Sequence, residues 1–278
     1  MMLPYTFQDD LLGEIVPEAE ITYEPSPPAS KRTGEAHFIF DKIMLPKCGD
    51  LVERPRITDF LHRSAAQFRG NLISGRAKTG KTYAAADLAR GYRNVAWFTV
   101  DSTDLDWNVF ARYLAAAVSP KTKVRDERDI AGFLGDLFTA PAKRKEDTLI
   151  VIDDIHHVFD ARWFSEFFML LLSSAVPKTH LLLLCRSKPP LPLWRLRSKQ
   201  VLNVVDEKML AFDLEETVEW CKKLGIPRQV SHLVPVNAYG RAGKVADFLQ
   251  YASNTYFGED AHESLSPLLL ANTDPFVP

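Results

Sequence analysis

The sequence predicts an α/β fold in which a five-stranded parallel sheet flanked by helices is followed by a small C-terminal helical domain. Three observations predict it. Short apolar runs alternate with amphipathic stretches from Asn71 onward. The runs are continuous rather than alternating, the mark of strands covered on both faces by helices. After Leu210 the strand-like runs stop and only helical periodicity continues.

Each element has its own signal. NLIS (Asn71 to Ser74) is the first strand candidate, and the alanine-rich stretch Lys81 to Arg90 is a helix. NVAWFTV (Asn94 to Val100) is a strand. Asp106 caps a helix carrying Trp107, Phe110 and Leu114, with Pro120 beyond its end. Ile130, Phe133, Leu134, Leu137 and Phe138 form an apolar stripe at helical spacing. TLIVID (Thr148 to Asp153) is an apolar strand ending in acid. Asp160 is expected to cap the helix bearing Trp163, Phe164, Phe167, Phe168, Leu171 and Leu172. HLLLLC (His180 to Cys185) and VLNVV (Val201 to Val205) are the last strands. Asp213 with Glu216 three positions on signals a helix start, and a final helix spans about Val245 to Ala252. Right-handed crossovers bring the C-terminal ends of such strands to one edge, where ligands of open α/β sheets bind.

Composition narrows the class. An apolar fraction of 46% in 278 residues supports a sizeable core without disulfides. The formal charge of -2 gives no global basic field for nucleic acid or anionic lipid. The 3 cysteines, Cys48, Cys185 and Cys221, are widely spaced, so neither a disulfide framework nor a zinc site is expected. The start MMLPYTFQDD has acids where a signal peptide carries bases. No apolar run approaches the ~18–20 residues of a membrane span. A cytoplasmic protein is the expectation. The proline-rich, acidic stretch Pro17 to Ser30 marks residues 1–45 as an extended or partly disordered arm. Residues 46–208 then form the sheet domain and 209–278 the helical one.

The strongest motif is GRAKTGKT, Gly75 to Thr82, which matches GxxxxGK[ST] in full between a strand and a helix. A chance match is expected in roughly one chain in a hundred of this length at average composition. Its chemistry is phosphate binding. Gly75 and Gly80 allow backbone dihedrals and close approach that a Cβ would block. The amides of Arg76, Ala77, Lys78 and Thr79 then turn inward at the positive end of a helix dipole. Lys81 supplies a charge for the β and γ phosphates of ATP or ADP, and the Thr82 hydroxyl is a ligand for Mg2+. The second motif is LIVIDDIHH, Leu149 to His157. A carboxylate closing a buried strand is costly unless it meets a cation or a donor. Asp153 is the magnesium residue of the pair, and Asp154 is placed to orient the attacking water. Arg186 follows the next strand and can reach the γ-phosphate, the alternative being a surface arginine at a strand end. His156 and His157 read as structural. The basic run Arg186 to Lys199 reads as a solvated loop.

Several phrases together resemble the ATPase module of MalT-like transcriptional activators, in the STAND class of signalling NTPases. They are LVERPRITDFL (Leu51 to Leu61), the GRAKTGKT loop, Val95 to Val118, LIVIDDIHHV, LLLLCRSKPPLPLWRLR (Leu181 to Arg197) and MLAFDLEETVEW (Met209 to Trp220). The likeness covers roughly residues 42–250. It implies a five-stranded nucleotide-binding core, a helical lid and a partial winged-helix segment. It also implies a switch in which ADP holds a monomer, ATP favours self-association or partner binding, and slow hydrolysis resets the state. On this likeness Lys81, Thr82, Asp153, Asp154 and Arg186 carry the site, and residues near Arg54 to Arg56 lie close to the adenine. AYGRAGKV (Ala238 to Val245) keeps only the glycine of the family's glycine–tryptophan–proline turn. The sensor repeats and helix-turn-helix of such activators have no room in this chain, and direct DNA binding by it is not expected. A non-hydrolysing nucleotide-bound scaffold and a P-loop kinase are the competing readings.

Overall fold

The structure is a computed structural model that describes residues 38–48, 52–234 and 238–257, with side chains up to 254. The expected arm up to residue 37 and the tail from 258 lie outside the described residues. Five strands form one sheet: β1 Gly70–Ser74, β2 Asn94–Thr99, β3 Thr148–Asp153, β4 Thr179–Cys185 and β5 Leu202–Asp206. Their order is β2-β3-β4-β1-β5, and every pairing is parallel. The register sets Ser74 beside both Cys185 and Asp206, and Thr99 beside Asp153. All five C-terminal ends therefore share one edge.

The pleat sends alternate residues to opposite faces, and each face has its own cover. On one face lie α1 (Pro55–Gln67) and α2 (Lys81–Ala89). Ile57, Leu61, Ala85 and Leu88 pack there against Ile73, Trp97, Val151, Leu182 and Val205. On the other lie α3 (Trp107–Val118), α4 (Ile130–Ala142) and α5 (Phe164–Ser174). Phe110 is the pivot of that side, with ring centroids 5.2 Å from Phe98, 4.7 Å from Trp163 and 4.9 Å from Phe167. Each fully buried aromatic or aliphatic side chain contributes about 1.5–3 kcal/mol by leaving water. All five stripe residues of α4 are buried, as their spacing requires.

The sequence expectations for the strands hold to within a residue, and the differences lie elsewhere. Helix α1 is an addition to the expected elements, with Ile57, Leu61 and Ser64 buried on one face. Asp160 does not cap α5. A 3-10 turn occupies Ile155–Val158, and α5 begins after Trp163, which makes no side-chain cap bond. Trp163 is fixed by packing on Trp107 and Phe110 and by a 3.0 Å bond from Nε1 to the Leu105 carbonyl, so aromatic docking sets the start. The basic run after Arg186 is not all loop. It forms α6 (Leu193–Ser198), with Leu196 buried. Packing also begins before the boundary expected at 46: a 3-10 turn at Phe40–Ile43 lies on β2, and its buried Lys42 donates to Asp104 at 2.6 Å.

The helical part follows β5. Helix α7 (Leu214–Lys223) starts with a reciprocal capping box: Glu216 N donates to Asp213 at 2.8 Å, and Asp213 N to Glu216 at 3.2 Å. After the short α8 (Arg228–Ser231) comes α9 (Ala242–Phe257). Cys221, Ile226, Val230, Val245 and Leu249 form a second, smaller apolar cluster among them. The described residues from Ile39 onward form one compact unit. None of the described helices is long and apolar enough to cross a membrane.

Candidate nucleotide site

The loop from Gly75 to Gly80 leaves β1 at the shared edge and enters α2. Gly80 sits at φ +91, open to glycine and strained for other residues. Gly75 has no space for a side chain: a Cβ would lie 2.8 Å from Glu207 Cβ and 3.1 Å from Thr79 Oγ1. Its amide donates to the Cys185 carbonyl at 3.1 Å, which pins the loop to β4. The Arg76 guanidinium pairs with Glu207 at the end of β5, and Thr79 Oγ1 donates to the Arg76 carbonyl at 2.9 Å. Lys81 is buried inside the turn, where Nζ donates to the carbonyls of Gly75 at 2.6 Å and Arg76 at 2.9 Å. Burial pushes its ammonium below the usual lysine value, while Asp154 and Asp153 pull it back up. A phosphate there would replace two neutral acceptors by charged ones.

The sheet edge brings the expected acids to the loop. Thr82 Oγ1 donates to Asp153 Oδ2 at 2.8 Å. Asp153 is 3% exposed, and burial raises its carboxyl to about 6, against the opposing hydrogen bond from Thr82. Asp154 adopts a left-handed φ of 52, its amide bonded to Asp153 Oδ1 at 2.8 Å. That turn aims the Asp154 carboxylate away from the strand, 3.6 Å from Arg186 Nη2 and 3.6 Å from His156 Nδ1. Arg186 is therefore at the site edge, half exposed, and in contact with Asp154.

These residues fit a magnesium ion. A buried carboxylate whose ionised form is disfavoured by burial is stabilised by a cation, and the hydroxyl beside it is a hard oxygen ligand. No cluster of three or more His, Cys, Asp or Glu suited to a metal exists among the described residues. Thr82 and Asp153 could supply two oxygens to such an ion, with phosphate and water completing the shell.

Beside the loop lies a cavity of about 310 Å³, lined by Val52, Arg54, Tyr83, Phe212, Trp220 and Ala246 among others. Arg54 is among its lining residues. Its guanidinium stacks on the Phe212 ring at 3.9 Å and donates to the Leu210 carbonyl at 2.9 Å and to Glu216 at 2.8 Å. Arg56 turns away to Asp213, Glu216 and the carbonyls of Met209 and Ala211. Phe212, Trp220 and the start of α9 are wall residues that the sequence reading did not single out. Both Phe212 and Trp220 fall within MLAFDLEETVEW, a phrase of the family resemblance, which is the signal that could have marked them.

The fold defines the class, a Walker-type P-loop domain with a five-stranded parallel sheet. It is similar to a solved Walker-type ATPase of Pyrococcus abyssi, with TM-score 0.51 and 16% identity, covering 76% of this chain and 71% of that one. It is also similar to a STAND protein with a tetratricopeptide-repeat sensor from Pyrococcus horikoshii, with TM-score 0.54 and 19% identity, covering 71% of this chain and 29% of that one. In sequence it is 27% identical over 180 residues to the HTH-type transcriptional regulator MalT of Vibrio parahaemolyticus, across 61% of this chain and 20% of MalT. It is 30% identical over 183 residues to the serine/threonine-protein kinase PknK of Mycobacterium tuberculosis, across 60% of this chain and 16% of PknK. The matched region is thus a fifth or less of these relatives' length. No family model matches the chain. Sequence and fold point the same way: the matched region is similar in sequence to MalT and in fold to a STAND protein.

Proposed function

We propose that this chain is a signalling ATPase module of transcriptional regulation, acting in the cytoplasm, whose ATP or ADP state switches self-association or the binding of a protein partner. Residues 46–208 bind the nucleotide and 209–278 act as the lid. The observation that carries the reading is the meeting of Thr82 and Asp153 at the sheet edge, beside a loop whose lysine is buried within it. Loop amides and Lys81 grip the phosphates. Thr82 and Asp153 hold magnesium, which when bound offsets phosphate charge and orients the terminal phosphate. Asp154 orients a water for attack and accepts its proton, and Arg186 fixes the Asp154 carboxylate and faces the transferred group. The proposed hydrolysis is slow and resets the switch.

Fluorescent ADP and ATP titrations, with and without magnesium, test the reading. Wild type should bind both, and Lys81→Ala should weaken binding at least a hundredfold. Mass in solution should differ between ADP and a slowly hydrolysed ATP analogue, alone or with candidate partners. Equal binding by wild type and Lys81→Ala would sink the proposal.

A further inference from the structure

The phosphate loop holds the Gly75 and Arg76 carbonyls on Lys81, while those of Ala77 and Lys78 face the lid, and backbone carbonyls at a packed surface need donors. Here the lid supplies them. Arg241 Nη2 donates to the Ala77 carbonyl at 2.8 Å, and Gly243 N donates to the Lys78 carbonyl at 2.8 Å. Gly243 lies in the first turn of α9, where an amide has no partner within its own helix. The lid helix and the phosphate loop therefore satisfy each other's unpaired groups. Shape agrees. A Cβ on Gly243 would lie 2.6 Å from Lys78 Cβ and 3.1 Å from the Lys78 carbonyl, and a Cβ on Gly80 would lie 3.1 Å from Ala242 Cβ.

The turn before α9 is held from the other side. Phe212 N donates to the Gly240 carbonyl at 2.7 Å, and Gly240 has φ +67, with the Phe212 carbonyl 2.7 Å from where a Cβ would stand. Arg241 is thus locked between the lid hinge and the loop. Ala246 and Asp247, one turn further along α9, line the cavity beside the loop. The latch consequently sets the width of that cavity.

We propose that Arg241 is a positioning residue for the nucleotide site, latching the lid to the outward carbonyls of the phosphate loop so that loop and lid move as one. The proposal rests on the nucleotide-binding reading above. A phosphate that reshapes residues 77 and 78 moves the start of α9 with them. Loss of the latch lets the lid swing free, so that nucleotide leaves faster while the groups that grip phosphate remain.

The test is the release rate of fluorescent ADP by stopped flow, for wild type, Arg241→Ala, Arg241→Lys, Gly243→Ala and the double alanine variant. Release should be about tenfold faster in Arg241→Ala and in Gly243→Ala, and Arg241→Lys should recover part of the loss. The double variant should be no faster than the faster single, because both changes open one latch. Hydrogen exchange without nucleotide gives a second readout: the Gly243 amide should exchange faster in Arg241→Ala than in wild type, with β1 and β4 unchanged. Unchanged release in both single variants, with wild type binding ADP normally, would overturn the latch alone. Absence of binding by wild type would overturn the nucleotide reading and this role with it.

Discussion

Thr82 and Asp153 are 71 residues apart and meet in a 2.8 Å hydrogen bond, hydroxyl to carboxylate, at the one edge where all five strands end. Thr82 is placed there by the helix that the phosphate loop opens, and Asp153 by the last position of strand β3, between β2 and β4. One hydroxyl and one backbone amide, both neutral, are weak partners for a carboxylate that is almost wholly out of water. The pair is held by the fold in an arrangement that a cation would complete.

Metal-free stability should therefore fall as pH rises through the range in which Asp153 ionises. Burial raises its folded pKa to about 6, above the ordinary 3.8. Between those values the native state holds the proton that the unfolded state has released, so protonation favours folding there. The contribution is full below about 4 and lost above about 6, a difference of about 2–3 kcal/mol for a two-unit shift. Asp153→Asn should flatten this part of the profile, raise metal-free stability at neutral pH, and abolish the magnesium dependence of nucleotide binding. Urea titrations across pH 4 to 8 in chelator check the first two expectations, and fluorescent-nucleotide titrations check the third.

Asp154→Ala should slow single-turnover phosphate release about a hundredfold or more, the scale of a lost general base, and leave ADP affinity within a few-fold. Arg186→Ala should slow the same step less, because Arg186 is half exposed and its 3.6 Å contact with Asp154 is long. A Lys at 186 should recover little, since a point charge does not reproduce a guanidinium fork. Phosphate release by quenched flow separates these steps from binding.

Much of this was legible in the sequence, for physical reasons. β3 and β4 are buried along nearly their whole length, and a strand covered on both faces must be a continuous apolar run. Gly75, Gly80, Lys81 and Thr82 stand out in the sequence because the GxxxxGK[ST] pattern restricts each of those positions to very few residue types. Helix α1 has a narrow apolar face of Ile57, Phe60 and Leu61 that is short and lies before the first strand, so it stands out less than the strands do. The start of α5 was misread because a local cap at Asp160 competes with Trp163, whose partners on α3 come from far away in the chain. Arg241 was invisible because its partner is the carbonyl of Ala77, and a carbonyl has no residue signature.

Phe110→Ala should cost about 3–5 kcal/mol, since the ring is fully buried and meets four aromatic neighbours in Phe98, Trp107, Trp163 and Phe167. The midpoint of denaturant unfolding should fall with little change in slope. Because the cavity lies on the opposite side of the sheet from this cluster, ADP affinity at low temperature should survive the change.

Arg54 should be the costliest surface-adjacent arginine to remove. Its side chain is 8% exposed and ties the segment before α1 to the hinge at Leu210 and Ala211 and to Glu216 in α7. Arg54→Ala would leave Glu216 buried with only Arg56 at 3.1 Å to offset its charge. Stranding a buried carboxylate outright costs about 3–5 kcal/mol, and the remaining partner brings the expected loss to about 2–4 kcal/mol. Adding Glu216→Gln should recover part of that, because the stranded charge is gone. The cavity side of the residue predicts a second effect, since the guanidinium orders Phe212 from 3.9 Å above its ring. Nucleotide affinity should therefore fall in Arg54→Ala and stay low after Glu216→Gln restores stability. Unfolding and binding measured on the same pair of variants separate the hinge from the wall: recovery of both together would mean that Arg54 acts on the nucleotide only through the fold.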